Sequence, residues 1–345
     1  MSEPESTDLR VVIADRTAAP GRLLELHEQG ILDDSRRVRA HGGTQLAIPV
    51  TTRPKTGRSR PDPAEPTMLR RRLRAHGWDD GPVGGVSRDW ARVGSVIRWD
   101  VGTTAAPELV ADQLLSLSEG AESVISGADT TGDEPRRSEQ VLAGVGATET
   151  IHEEGSVRYA MDVAEARFRP GDAAERRHVA RTIDPAERVY VPAAGIGGYC
   201  IPAAGAASTV IAEEADGSLF RYLLENVVLN DLTEQVDAYR AEPGDVALGE
   251  QLDRLLVTAP GLLERLPTLA RSLAPGGVVH LHRATDIDSL ADHLSTDQAT
   301  ELVGRPASRL TDRLLPCYRP GRLHLVSDFQ VTARATASSG PAGSS

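Results

Sequence analysis

The segment from Arg188 to Glu214 constrains the fold of this chain most strongly, because two apolar runs flank a glycine-rich turn within it. Its sequence is RVYVPAAGIGGYCIPAAGAASTVIAEE. The pattern predicts a strand, a tight turn, a short helix and a second strand that ends on an acid, which is the opening unit of a doubly wound α/β nucleotide-binding domain. Glycine lets the backbone approach a ligand closely. An ordinary strand-to-helix turn is the alternative interpretation.

The chain after Glu214 continues the alternation of helices and strands. Helices are predicted at 217–229 and 262–273. Strands are predicted at 236–240, 252–257, 278–281, 310–318 and 323–331. With the two strands of the first segment, these elements predict five parallel strands followed by an antiparallel hairpin, which makes a seven-stranded Rossmann-like sheet.

The chain of 345 residues is long enough for several domains. We expect a small α+β domain at 8–50, a polar, proline-rich linker at 51–67, a second α+β domain at 68–168, the nucleotide-binding domain at 169–333 and a disordered tail at 334–345. In the second of these domains, a meander of strands is predicted at 147–152, 156–161 and 164–168.

Charge and composition exclude several classes of protein. The formal net charge of −12 argues against non-specific binding to polyanions, whereas the arginines at 70–72 and 74 are a candidate phosphate contact or a solvated helix face. No apolar stretch is long enough to span a bilayer, and the acidic N-terminus is unlike a signal peptide. Cys200 and Cys317 lack the spacing of a zinc site. We expect a cytoplasmic monomer without a metal.

Two histidines, His280 and His282, alternate along the predicted strand near its end. We expect one of them to face inward and the other outward. Both are interpreted as packing or hydrogen-bonding residues and not as metal ligands. Aromatic residues make up only 3% of the chain, so few side chains are available to stack on a base. Phe168 and Tyr199 are the candidates for that contact.

Six segments together resemble one family of enzymes, in the family's order and at its spacing. They are GILDDSRRV (30–38), EQVLAGVGATETIHEEGSVRYAMDVAEARF (139–168), RPGDAAERRHVA (169–180), AGIGGYCIPAA (194–204), LLENVVLN (223–230) and LAPGGVVHLH (273–282). From about Leu9 to Val331 the chain resembles the archaeal family that modifies guanosine 37 of tRNA. One branch contains N1-methyltransferases, and the other contains wybutosine-synthesis enzymes that transfer the α-amino-α-carboxypropyl group. The resemblance implies a class I methyltransferase fold, S-adenosyl-L-methionine as cofactor and tRNA as partner.

The resemblance also implies which residues hold the cofactor. Its methionine end would lie against the glycine turn, its ribose hydroxyls would bind an acid after the second strand, and its adenine amino group would lie near an acid after the third strand. A residue after the fourth strand completes the set. Ala194, Gly195 and Gly197 would lie against the methionine end. Glu214 would bind the ribose, with Glu213 as the near competitor. Glu242 would lie near the adenine amino group, and Thr258 is the residue after the fourth strand.

Two catalytic residues are implied in the same way. Glu175 matches the loop glutamate that acts as general base in the methyltransferase branch, and Arg137 matches an arginine that stabilises charge on the target base. These roles suit the chemistry, because a guanine nitrogen must lose its proton while negative charge moves onto O6. Alternatively, Glu175 is an acid stabilised by a helix N-terminus. The alternative for Arg137 is an exposed partner of Asp133 or Glu134.

Departures from the family pattern decide between its branches. The methyltransferase branch usually has an arginine after the proline of a Ser-Pro-Arg pattern, whereas here Pro170 is followed by Gly171 and Asp172, closer to the Pro-Gly-Asn of the aminocarboxypropyl branch. The methyltransferase branch also has an asparagine where this chain has Thr258. Both departures favour aminocarboxypropyl transfer over N1-methylation. The family's Asp-Met-Phe before the glycine turn is replaced by residues 191–193, Val-Pro-Ala. This change makes a cofactor-binding or tRNA-binding paralogue without catalysis a further alternative.

Overall fold

The computed structural model describes residues 10–34, 36, 38–51, 60–61, 90–102, 104, 106–127, 139–248, 251–294, 298–319 and 321–332. Four sequence predictions concern residues outside these ranges. They are most of the linker, the arginine run at 70–74, Arg137 and the C-terminal tail.

The N-terminal residues form a four-stranded sheet with one helix packed on it. The elements are β1 (Arg10–Asp15), α1 (Ala19–Glu28), β2 (Arg39–His41), β3 (Gln45–Val50) and β4 (Arg60–Pro61), and the strand order is β2-β3-β1-β4. Leu23 and Leu26 of α1 are fully buried, because residues three apart share one face of a helix. They share a core with Leu314 and Leu325, so this sheet and helix pack directly on the C-terminal half of the chain.

The middle of the chain forms a second four-stranded sheet and a separate hairpin. The sheet contains β5 (Trp90–Val93), β6 (Val96–Trp99), α2 (Pro107–Leu117) packed on it, β7 (Ser123–Ser126) and β8 (Val141–Gly144), in the strand order β5-β6-β7-β8. The hairpin consists of β9 (Glu149–Glu154) and β10 (Val157–Asp162). The expected strands at 147–152 and 156–161 therefore lie within two residues of the observed ones.

The predicted strand at 164–168 is wrong. This segment is a turn followed by irregular backbone. The Arg98 guanidinium donates hydrogen bonds to the carbonyls of Val163, Ala166 and Phe168. Because a buried side chain satisfies these carbonyls, the segment does not need a neighbouring strand. It forms part of a cavity wall instead.

A seven-stranded sheet forms the centre of the C-terminal half. Its strands are β11 (Arg188–Val191), β12 (Thr209–Glu213), β13 (Val236–Tyr239), β14 (Leu252–Val257), β15 (Leu273–Thr285), β16 (Ala307–Arg319) and β17 (Arg322–Val331). The order is β13-β12-β11-β14-β15-β17-β16. The first five strands in this order are parallel, and β17 runs antiparallel to both β15 and β16. The predicted five parallel strands and closing hairpin are confirmed.

Helices cover both faces of this sheet. They are α3 (Ala173–Thr182), α4 (Cys200–Ala204), α5 (Gly217–Leu229), α6 (Leu266–Leu269), α7 (Ile287–His293) and α8 (Gln298–Val303). Alternate residues of β11 pack into the cores on the two faces of the sheet, because successive side chains of a strand point to opposite faces. Val189 and Val191 lie in one core, and Tyr190 lies in the other.

The predicted helix at 262–273 is broken. The chain forms a 3₁₀ turn at Pro260–Arg265, the single turn of α6, and another 3₁₀ turn at Ala270–Ser272. Pro267 lies at the start of α6. Proline has no N–H to donate to the preceding turn, so a continuous α-helix cannot run through it.

Candidate active site

A cavity of about 480 Å³ lies beyond the carboxyl ends of β11, β12 and β14. The sheet order reverses between β11 and β14, and ligands of doubly wound sheets bind at such a switch point. The walls come from the loop at 164–169, the turn at 193–199 and the segment at 258–262, with His282 and His324 from β15 and β17. Phe168 and Tyr199, the expected stacking residues, both line it. The volume suits a cofactor-sized ligand.

The glycine turn forms one wall of the cavity. Ala194 and Gly195 line the cavity. Gly195 has a φ of +59°, and a Cβ there would meet no atom within 4 Å, so its backbone faces open space. Gly197 differs, because a Cβ would come within 3.0 Å of Ile201 and Leu223. Gly197 therefore packs behind the turn and supports it, whereas Ala194 and Gly195 face the cavity.

The two acids after β12 have different surroundings. Glu214 lines the cavity and accepts hydrogen bonds from the backbone N–H of Gly195 at 2.7 Å and of Asp216 at 2.9 Å. Burial raises the pKa of the Glu214 carboxyl, although these two amides act in the opposite direction. A partly buried carboxylate that already fixes the turn is well placed to accept hydroxyl groups from a ligand.

Glu213 points into the protein and is fully buried. Its carboxylate accepts hydrogen bonds from the Tyr190 hydroxyl and from the backbone N–H of Gly244 at 2.7 Å and Val246 at 2.8 Å. These contacts hold the loop after β13 against the sheet. The geometry therefore gives Glu213 a structural role and leaves Glu214 as the acid that faces the cavity.

The remaining predicted cofactor residues lie in different places. Thr258, directly after β14, lines the cavity. Glu242 does not line it, and its carbonyl accepts the backbone N–H of Asp245 in a turn at 3.0 Å. Of the predicted set, the structure thus brings Ala194, Gly195, Glu214 and Thr258 together around one cavity.

Glu175, the predicted general base, is 1% exposed and does not line the cavity. It lies in the first turn of α3. Its carboxylate pairs with the Arg313 guanidinium at 2.8 Å, and its Oε1 is 3.9 Å from the Nε2 atom of His280. Arg137 lies outside the described residues. The structure therefore does not bring Glu175 to the cavity wall.

Buried arginines surround the cavity, and the sequence interpretation missed them. Arg176 pairs with Glu154, lies 4.4 Å above the Phe168 ring and donates to the carbonyl of Arg169. Arg169 donates to the Pro316 carbonyl at 2.8 Å. Arg169 is extended and precedes the 3₁₀ turn, whereas Arg176 lies in α3, so helical spacing gave no signal that the two side chains lie together.

Three histidines form a hydrogen-bonded chain beside the cavity. The Nε2 atoms of His280 and His282 are 2.9 Å apart, and Nδ1 of His282 is 2.8 Å from Nε2 of His324. The expectation that His280 and His282 face opposite ways is wrong. Residues two apart in a strand point to the same face, and both side chains are buried there. Burial, together with neighbouring histidines and arginines, holds the pKa values of His282 and His324 well below their usual range.

The described part of the chain contains neither a membrane-spanning helix nor a cluster of metal ligands. Within it, no helix has the length and apolar composition needed to cross a membrane. Among the same residues, no group of three or more His, Cys, Asp or Glu side chains has a geometry suited to a metal ion.

Known proteins resemble this chain both in sequence and in fold. Residues 150–313 match the TRM5/TYW2 methyltransferase domain. The chain is 27% identical over 252 residues to the tRNA(Phe) (4-demethylwyosine(37)-C(7)) aminocarboxypropyltransferase of Pyrococcus horikoshii, covering 70% of this chain and 88% of that enzyme. It is 30% identical over 197 residues to the tRNA (guanine(37)-N(1))-methyltransferase Trm5b of Pyrococcus abyssi, covering 55% and 58% respectively.

Structural similarity agrees with these matches. The crystal structure of P. horikoshii TYW2 in complex with MeSAdo superposes with a TM-score of 0.60 at 26% identity, covering 76% of this chain and 98% of that chain. The predicted class I methyltransferase fold is therefore confirmed. Residues 150–313 of this chain are therefore similar in sequence and in fold to the TRM5/TYW2 methyltransferase domain.

Proposed function

We propose that this protein transfers the α-amino-α-carboxypropyl group of S-adenosyl-L-methionine to C7 of 4-demethylwyosine at position 37 of a tRNA. The observation that carries this proposal is a cofactor-sized cavity at the switch point of the sheet, in a chain similar over most of its length to a relative with that name. We also propose that the protein acts in the cytoplasm as a monomer, as the sequence predicted.

The residues of the cavity fit the cofactor. The bound cofactor supplies an electrophilic carbon next to a positively charged sulfur, and the transfer leaves a neutral thioether. Glu214 would accept the ribose hydroxyls while its hydrogen bond from Gly195 keeps the turn in place. The open backbone at Ala194 and Gly195 would lie against the methionine end. Thr258 would close the site from the end of β14.

Glu214→Gln should weaken the binding of S-adenosyl-L-methionine about 10-fold or more, because a hydrogen bond to a charged group contributes roughly 1.5–3 kcal/mol. Titration calorimetry measures the affinity directly. Glu213→Gln is the matched control. It should lower the stability of the fold in urea and leave a smaller effect on the affinity of the folded protein. Equal losses of affinity in both variants would contradict the assignment of Glu214 to the ribose.

Two features of the acceptor side support the aminocarboxypropyl branch. Pro170–Asp172 forms a 3₁₀ turn whose last residue lines the cavity. Thr258 stands where the methyltransferase branch usually has an asparagine. Selection of one cofactor carbon over another depends on how the cofactor and the base are positioned. Both departures lie on the cavity wall, where they can affect that position.

The alternative function is N1-methylation of guanosine 37. The match to P. abyssi Trm5b, at 30% identity over 197 residues, favours it. A cofactor- or tRNA-binding paralogue without catalysis is the alternative from another class, since Val191, Pro192 and Ala193 replace the family's Asp-Met-Phe.

Mass spectrometry of tRNA nucleosides separates these functions. The protein is incubated with S-adenosyl-L-methionine and either tRNA with unmodified guanosine 37 or tRNA that carries 4-demethylwyosine. We expect the aminocarboxypropyl mass on the second tRNA and release of 5′-methylthioadenosine. A methyl group on guanosine, with S-adenosylhomocysteine released, would establish the alternative. Cofactor binding by calorimetry without transfer to either tRNA would establish the paralogue. The Glu214→Gln variant serves as the control for cofactor-dependent product.

A further inference from the structure

A continuous chain of side-chain hydrogen bonds runs from the cavity wall into the sheet. Nη1 of Arg169 is 3.0 Å from Nδ1 of His324, and Nε2 of His324 is 2.8 Å from Nδ1 of His282. Nε2 of His282 is 2.9 Å from Nε2 of His280, and Nδ1 of His280 is 2.7 Å from Oδ1 of Asp328. All three histidines are at most 2% exposed. His282 and His324 line the cavity, whereas His280 does not.

The two ends of this chain fix the position of every proton in it. An arginine guanidinium can only donate, and an ionised carboxylate can only accept. Arg169 therefore donates to Nδ1 of His324, which places the proton of that ring on Nε2. The same logic places the proton of His282 on Nε2 and the proton of His280 on Nδ1, where it is donated to Asp328. In this arrangement each ring holds one proton, and every N–H points away from the cavity.

Charged groups from every neighbouring element surround the histidines. Glu175 of α3, Arg313 of β16 and Asp328 of β17 lie at the inner end, where Arg313 contacts both carboxylates at 2.8 Å. His178 of α3 interacts electrostatically with the same groups. At the cavity end lie Arg169 and Asp172, with Arg16 from the turn after β1. Tyr199 packs edge-on against His282, with ring centroids 5.0 Å apart.

We propose that this histidine chain carries the proton that the acceptor base releases from the cavity to Asp328. The proposal rests on the proposed function, since transfer of either group requires the acceptor base to lose a proton. The acceptor atom forms a bond to the transferred carbon, the bond from that carbon to sulfur breaks with its electron pair left on sulfur, and the acceptor atom then loses its proton. Glu175 cannot take that proton directly, because it lies outside the cavity and is paired with Arg313.

Each hop of the proton has a donor and an acceptor already in contact. The proton enters at Nδ1 of His324 as Nη1 of Arg169 turns towards Asp172, whose Oδ1 is 3.3 Å away. His324 then passes its Nε2 proton to His282, His282 passes its Nε2 proton to His280, and His280 passes its Nδ1 proton to Asp328. The Asp328 side chain is 13% exposed, so the proton can reach solvent from there.

The low basicity of the two rings that line the cavity, His282 and His324, suits a relay. Burial and the neighbouring cations keep the pKa values of His282 and His324 well below the usual value. A ring that holds a proton weakly passes it on instead of storing it. Asp172 is the competing proton acceptor, because it lines the cavity and lies beside Arg169.

The protonation pattern can be tested on the unmodified protein by ¹⁵N–¹H nuclear magnetic resonance of its histidine rings. We expect the proton of His280 on Nδ1 and the Nε2–H tautomer at both His282 and His324, with these last two rings neutral at pH 7. An Nδ1–H tautomer or an imidazolium at His282 or His324 would overturn the proposal. This measurement depends neither on activity nor on the folding of a variant.

The relay itself is tested with His280→Gln, because His280 does not touch the cavity. A glutamine at this position can form hydrogen bonds but cannot pass a proton along. We expect the single-turnover rate of transfer to fall about 100-fold, with the affinity for S-adenosyl-L-methionine unchanged. Proton transfer should then limit the rate of the variant, so its solvent isotope effect should differ from that of the unmodified protein, and small buffers should restore part of its rate. His27→Gln, at a more exposed histidine on α1, is the control and should change none of these.

The outcomes separate the relay from the function on which it rests. A wild-type rate and isotope effect in folded His280→Gln would overturn the relay, and a 100-fold loss confined to Asp172→Asn would give its role to Asp172. If the unmodified protein transfers nothing to either tRNA, the proposed function is wrong. The ring tautomers then still decide whether the chain is ordered as described.

Discussion

Arg313→Met should destabilise the fold by about 3–5 kcal/mol, because removal of one partner from a buried ion pair leaves an uncompensated charge. Arg313 contacts the carboxylates of Glu175 and Asp328 at 2.8 Å each, and the three side chains are 4%, 2% and 13% exposed. Methionine preserves most of the volume and supplies no charge. Urea denaturation at pH 7 measures the loss as a lower midpoint.

Two comparisons make this result interpretable. Arg221→Met removes an exposed pair, since Arg221 and Glu149 are both more than half exposed, and it should not change the midpoint measurably. Adding Glu175→Leu to Arg313→Met should recover part of the loss, because one buried carboxylate is then removed. A loss below about 1 kcal/mol for Arg313→Met, within the range of ordinary surface substitutions, would show that the two acids do not depend on this arginine.

Acidification should destabilise the protein by about 3 kcal/mol between pH 7.5 and pH 5.5. His282 and His324 are buried and stay neutral in the folded state, since burial and the nearby cations lower their pKa values well below the usual range. In the unfolded chain the same rings bind protons below a pKa of about 6.5. The unfolded state therefore binds more protons as the pH falls, and each ring contributes about 1.4 kcal/mol over these two pH units.

Other groups add to this slope, so a comparison of variants is needed to isolate it. Burial also lowers the pKa values of His178 and His293, which act in the same direction. The raised pKa of Glu214 acts in the opposite direction. The double variant His282→Asn with His324→Asn should lose about 3 kcal/mol of the pH dependence, measured by urea denaturation at both pH values. The same slope in the variant and the unmodified protein would mean that these rings become protonated in the folded state.

Predictions from local sequence were most accurate where one pattern repeats. The strands at Thr209–Glu213 and Leu252–Val257 and the helix at Gly217–Leu229 follow from hydrophobic periodicity, and the observed elements match them. The errors arose where distant residues decide. Arg98 lies in another sheet and donates hydrogen bonds to carbonyls of the segment around 164–168. The local sequence of that segment does not predict this contact.

The candidate site divides in the same way. Ala194, Gly195, Glu214 and Thr258, which the sequence suggested as cofactor residues, lie around one cavity, because each follows a strand and parallel strands end at the same edge of a sheet. Glu175 does not line that cavity. That residue lies one turn from the loop that forms the cavity wall, yet its side chain turns inward to Arg313, 138 residues later in the chain.

The sequence by itself determined the fold class and the five parallel strands with their closing hairpin, because these depend on local periodicity and on motifs of a few residues. Only the tertiary structure brought His280 and His282 of β15 into contact with His324 and Asp328 of β17, across an antiparallel pairing of strands. Hydrogen bonds between such distant residues depend on strand register and burial. A single sequence without its fold specifies neither.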